Sequence, residues 1–139
     1  MTPDAARSRF AHARVARLAT VGADGAPHLV PVTFAIDGDR IVTAVDAKPK
    51  RRRGRLRRLL NIRANPRVSL LVDEYDDDWG KLWWVRADGE ARIVEEDPDL
   101  GRVLALLRER YPQYATVALI GPAVVVEIER WVGWSAAEG

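Results

Sequence analysis

HLVPVTFAIDGDRIVTAVDA, residues 28–47, reads as two strands on either side of a tight turn. Residues 28–36 are rich in β-branched and aromatic side chains, and Asp37, Gly38 and Asp39 form a turn signal. Residues 40–47 are apolar at most positions and predict the next strand. Pro31 cannot donate to a ladder, so the first strand must be an edge, carry a bulge, or meet something other than a neighbouring strand there.

The flanking sequence extends this meander. Upstream, residues 8–10 and their neighbours predict a short helix, and ARVARLATV (13–21) a strand. GADGAP (22–27) is a turn in which Asp24 and Gly25 are expected to take positive φ. Downstream, Leu56, Leu59 and Leu60 have the spacing of a short amphipathic helix ended by Asn65 and Pro66. VSLLVDEY predicts a buried strand, and LWWVRADGEARIVEE one or two strands with a bend at Asp88 and Gly89. Asp97 is the expected N-cap of a helix with Pro98 at its first position, and Leu100, Val103, Leu104 and Leu107 form its apolar stripe. AVVVEIERWVGW closes the chain as a long strand. Six or so strands with two or three helices predict a mainly β protein, an antiparallel barrel with helices at its openings. Strands and crossover helices do not alternate, which excludes a parallel α/β sheet. At 139 residues the chain is expected to be one domain, 1–139.

Composition narrows the function classes. With 47% hydrophobic and 30% charged residues the chain is that of a globular protein, and no apolar run reaches the roughly 18 residues of a membrane span. The first residues carry no apolar signal segment, and there are no cysteines, so a cytoplasmic protein without disulfides or thiolate chemistry is expected. The net charge of +2 hides a separation. KPKRRRGRLRR (48–58) places eight cations in eleven positions; without them 14 of the 22 Lys and Arg remain against 20 Asp and Glu. DEYDDDW (73–79) holds five acids in seven positions and is expected to be a solvated loop facing the cations; it lacks the ligand spacing of a calcium loop, so no metal is expected.

Side-chain catalysis is poorly supplied. His12 and His28 fit no metal-ligand pattern, and His28 is expected at the surface or rim. No nucleophile motif surrounds Ser8, Ser69 or Ser135. Either the protein only binds, or a cofactor brings the chemistry. Gly54 divides the basic block into a loop portion and a helical portion, so its cations converge on a helix start, where backbone donors and the helix dipole favour an anion. A solvated loop is the alternative. A nucleic-acid arm is not expected, because no aromatic residue interleaves the cations to stack on bases. All five tryptophans lie in the second half, and Trp83 and Trp84 must face opposite sides of a strand, so one of them can be core while the other covers a subunit interface or a flat ligand.

VPVTFAIDGDRIVTAVD, a basic loop and LRRLLNIRANPRVSLLVDEY, in that order, resemble the pyridoxamine phosphate oxidase-like split-barrel superfamily, and within it the actinobacterial branch that uses the deazaflavin coenzyme F420. The resemblance runs from about Phe10 to Trp134, and its most specific part is N-x-x-x-N-P-R-V (61–68). It implies an FMN-binding-type split β-barrel, a homodimer with cofactor in clefts between subunits, and an oxidoreductase acting on a small organic substrate. It implies that Pro31, Val32 and Thr33 on one strand and Thr43, Ala44 and Val45 on another frame the ring. Lys48, Lys50, Arg51, Arg52, Arg53, Arg55 and Arg58 are the candidates to hold the anionic groups, with Arg58 standing where relatives often have lysine. Trp79 and Trp83 are candidates for the substrate cleft, and Tyr75 or Tyr111 for a proton donor if they reach it. The insert between Val45 and Arg58 is longer and more basic than the common pattern. FMN is the alternative cofactor, and a non-catalytic storage or sensing module the alternative role.

Overall fold

The computed structural model describes the backbone of residues 1–46 and 52–138, and the side chains of these except 46, 52–56 and 138. Helix α1 (Pro3–His12) leads into β1 (Ala16–Val21), β2 (Pro27–Val32), β3 (Ala35–Asp37) and β4 (Arg40–Asp46). Helix α2 (Arg52–Ala64) precedes β5 (Arg67–Glu74) and β6 (Trp83–Val94), and α3 (Asp99–Arg110) precedes β7 (Leu119–Ser135). Short 3-10 turns occupy Trp79–Lys81, Pro112–Ala115 and Ala136–Glu138.

The strand expected over residues 28–36 is two strands, and the difference makes the barrel. All seven described strands form one antiparallel sheet in the order β2-β1-β5-β6-β7-β4-β3. Its two outer strands are consecutive in the chain and separated only by Thr33 and Phe34, so the sheet curls until its edges meet. Pro31 sits on β2, an outer strand, as its missing donor requires. The break is sustained by side chains from the far end of the sequence. Phe34 N–H donates to Tyr111 Oη at 3.1 Å, and Arg110 Nη1 donates to Phe34 O at 3.0 Å, so the corner's backbone is satisfied without a ladder.

Two apolar clusters hold this frame. Inside the barrel, Leu18, Phe34, Ile41, Leu70, Val72, Val85, Val124 and Val126 are fully or almost fully buried. Helix α1 adds Phe10, whose ring meets Phe34 and Trp131 edge-on at 4.9 and 5.4 Å. Outside, Val103, Leu104 and Leu107 of α3 pack on Val42, Ala44, Ala123 and Val125. Ile41 and Val45 serve the first cluster while Val42 and Ala44 serve the second, which is why this segment is apolar on both faces.

Several local expectations are corrected. Gly25 and Gly38 take positive φ (77° and 63°), but Asp24 does not; its Oδ1 instead accepts from Ala26 N–H at 3.0 Å. Helix α3 starts at Asp99, with Pro98 at the cap, while Asp97 Oδ1 still accepts from Gly101 N–H at 2.7 Å. Gly54 lies within α2, so the division between loop and helix falls earlier, and Leu60 points to solvent while Asn61 and Ile62 are buried. Of the one or two strands expected over this stretch the structure has one, β6, with the irregularity at Asp88 and Gly89 taking the form of a one-residue shift in register with β7. A Cβ on Gly89 would lie 2.1 Å from Glu127 O, so the residue there has to be glycine.

Candidate functional site

Helix α2 carries the second half of the basic block. Lys48, Lys50 and Arg51 lie outside the described residues; Arg52, Arg53 and Arg55 are described as helix backbone only. Those three arginines occupy the head of α2, whose first turn holds no acid. Cations there oppose the helix dipole, an arrangement relieved by an anion. Arg58 is half-buried and Arg57 exposed. Three residues after Arg58, on the same helix face, the buried Asn61 donates through Nδ2 to Thr20 Oγ1 of β1 at 3.1 Å. His28 is directly opposite Thr20 in the β1–β2 register, half-buried as a rim residue, with its Nδ1 buried and without a hydrogen-bond partner among the described residues.

The residues expected to frame a ring are brought together in part. Thr43 Oγ1 donates to the Thr33 carbonyl at 2.7 Å, and Thr33 Oγ1 lies 2.6 Å from Tyr114 Oη, so two separate hydrogen bonds, one to its backbone and one to its side chain, hold Thr33 at the corner between β2 and β3. Val32, Ala44 and Val45 are buried and Pro31 is exposed. Tyr111 is packed and not in a cleft: it is buried, with Arg14 O and Phe34 O both 3.0 Å from its hydroxyl. Tyr75 is exposed, 3.4 Å from Trp79 Nε1.

The tryptophans divide as the strand period demands. Trp83 rests against the barrel core, donates to Glu74 Oε2 at 2.7 Å and lies under the Arg9 guanidinium. Trp79 is 69% exposed beside the acidic loop, which is shaped by its own turns: Asp76 Oδ1 accepts from Asp78 N–H, and Asp78 Oδ1 from Gly80 N–H. Trp84 faces outward and lines a groove of about 570 Å3 with Ala19, Leu29, Leu71 and Arg86. A second groove of about 480 Å3 adjoins it through Ala19, Ser69 and Arg86 and contains Asp88 and Arg130. Asp88 accepts from Arg86, Arg130 and the Ser69 hydroxyl. Burial raises its pKa, but these hydrogen bonds and the charge of Arg86 outweigh that and hold it at about 2. Sequence reasoning sent one of Trp83 and Trp84 to an interface or ligand but named Trp83 for the cleft, and it did not reach the ion pairs of Asp88 or the anchoring role of Asn61. The available signal was Asn61 itself, a polar residue set between Leu60 and Ile62 in the helix.

Among the described residues no group of three or more His, Cys, Asp and Glu is disposed to hold a metal ion, and no helix is long and apolar enough to cross a membrane. An antiparallel sheet closed across two residues, with helices packed against it, defines a split β-barrel. The chain belongs to the pyridoxamine 5'-phosphate oxidase family, which it matches over residues 2–133. It is similar to the 5a,11a-dehydrotetracycline/5a,11a-dehydrooxytetracycline reductase of Streptomyces rimosus, 47% identical over 58 residues. That match spans 42% of this chain and only 39% of the reductase. Conserved hypothetical protein Rv2991 of Mycobacterium tuberculosis superposes with a TM-score of 0.76 at 27% identity, covering 99% of this chain and 87% of that one. An FAD-binding protein of Mesorhizobium loti shares the fold at a TM-score of 0.67 and 22% identity, over 96% and 92% of the two chains. The family is named for an oxidase and the Streptomyces relative is named as a reductase, both oxidoreductases.

Proposed function

We propose that the chain is an F420-dependent reductase that works as a homodimer. The observation that carries the reading is the basic block: eight cations, five of them on α2, a helix with no acid in its first turn that a buried hydrogen bond from its last turn fastens to the barrel. FMN has one phosphate, whereas coenzyme F420 offers a phosphodiester and a run of tail carboxylates. Each exposed contact is weak and screened, so a long polyanion accounts for so many cations better than a single phosphate does. The acid-free start of the basic helix supports such a group, and His28, whose buried Nδ1 has no hydrogen-bond partner among the described residues, stands beside the joint that carries this helix.

Bound coenzyme F420 would supply a hydride for an unsaturated small organic acceptor. The arginines would hold its anionic groups, and the hydrogen bonds from Thr43 to the Thr33 carbonyl and between the Thr33 and Tyr114 hydroxyls would keep the ring frame rigid. The Streptomyces relative, named as a reductase of dehydrotetracyclines, supports an unsaturated acceptor. The outward sheet face would be covered by a second copy, excluding water from the clefts. Leu29 is 65% and Trp134 43% exposed there, Leu71 and Trp84 adjoin the groove, and Asp88 is already neutralised by two arginines.

Equilibrium binding of coenzyme F420 and FMN at two salt concentrations tests the reading. Tight, salt-weakened F420 binding with weak FMN binding is expected, followed by reduction of an enone or quinone. Binding of FMN alone would reassign the chain to an FMN enzyme or a cofactor-holding module.

A further inference from the structure

We infer that Asn61 is the positioning residue of the anion site: a single buried carboxamide sets where α2, and the arginines on it, stand against the β1–β2 hairpin. This rests on the cofactor reading above and adds which residue makes the basic helix competent.

Asn61 is 3% exposed in the last turn of α2, where its buried amide must be satisfied or carry a desolvation penalty. Both ends of the carboxamide are accommodated. Its Nδ2 donates to Thr20 Oγ1, and Thr20 is itself buried. Its Oδ1 lies against Gly22, where a Cβ would come within 2.4 Å of Oδ1 and 3.2 Å of Cγ. The socket therefore consists of a hydroxyl on β1 and a glycine in the following turn, matched to one side chain of α2.

Apolar contacts could not do the same work. Among the described side chains, Leu59 and Ile62 are the apolar residues that α2 buries. Such contacts are non-directional: they select which face of the helix packs but set its rotation only coarsely. The Asn61–Thr20 bond is directional and fixes that rotation. Arg57 and Arg58 precede Asn61 by four and three residues, so they share its side of the helix, and one residue of helical rotation would swing them through about 100°. Asn61 thus acts on a bound anion only through these arginines.

The test compares the wild type with Asn61→Ala, Thr20→Val, Thr20→Ser and Leu107→Ala, the last a core change in α3 far from the joint. Binding of coenzyme F420, FMN and inorganic pyrophosphate is measured at two salt concentrations, and amide exchange is followed in the ligand-free proteins. Asn61→Ala and Thr20→Val are expected to weaken anion binding about tenfold or more and flatten its salt dependence. Amides of α2 should exchange faster in both while those of α3 stay protected. Thr20→Ser, which keeps the hydroxyl, should bind like wild type, as should Leu107→Ala despite its lower stability. Unchanged affinity in Asn61→Ala, or an equal loss in Leu107→Ala, overturns the inference. A wild type that binds pyrophosphate or FMN but not F420 overturns the cofactor reading while leaving the Asn61 comparison decisive. A wild type that binds none of the three overturns both.

Discussion

Asp88 accepts from two arginines and a serine on a sheet face that is otherwise largely apolar around Leu29, Leu71 and Trp84. Its pKa is lowered from 3.8 to about 2, so the folded state favours the carboxylate more than the unfolded chain does. The resulting stabilisation is complete above about pH 4 and is lost as the pH falls through the folded value near 2. Its size is on the order of 2 kcal/mol, less the screening that a partly exposed site allows. Urea midpoints of the wild type should therefore fall between pH 5 and pH 2 by more than those of Asp88→Asn. Parallel pH profiles of the two proteins would remove Asp88 as a determinant.

At the scale of elements, α3 shows how far a sequence pattern reaches. Its stripe of Leu100, Val103, Leu104 and Leu107 predicts a helix with one buried face, and three of these four are buried against β4 and β7. Leu107 is fully buried at the centre of that contact, so Leu107→Ala should destabilise the fold by about 2–5 kcal/mol, read as a lower midpoint in a denaturant titration. Periodicity is a local property and was legible for the helices, β1, β4 and the long β7. The division of residues 28–36 was not, because the groups that satisfy Phe34 belong to Arg110 and Tyr111, some 76 positions away. The site divides likewise: a dense cation block is visible in a sequence, but which polar residue anchors its helix depends on what β1 places opposite Asn61. The alternation of Trp83 and Trp84 was legible too, though which of them met the core depended on where α1 lies.

On the whole-molecule scale, the proposed dimer depends on the outward face of the sheet. Leu71 is 38% exposed on β5, within the groove, while its neighbours Leu70 and Val72 point into the core. Leu71→Asp should leave the fold intact and shift the protein from dimer to monomer in light scattering. A wild type that is already monomeric at micromolar concentration would sink the dimer reading.

Strand β7 is last in chain order, yet it stands between β6 and β4 in the sheet. Until it is synthesised, β6 and β4 each present an open edge, and the sheet that runs from β2 round to β3 is incomplete. The β4–β7 pairing then closes over about 80 intervening residues, a separation typical of slow-folding β topologies. A ribosome that stalls before β7 would thus release a chain with two unpaired edges, a form prone to aggregation and degradation.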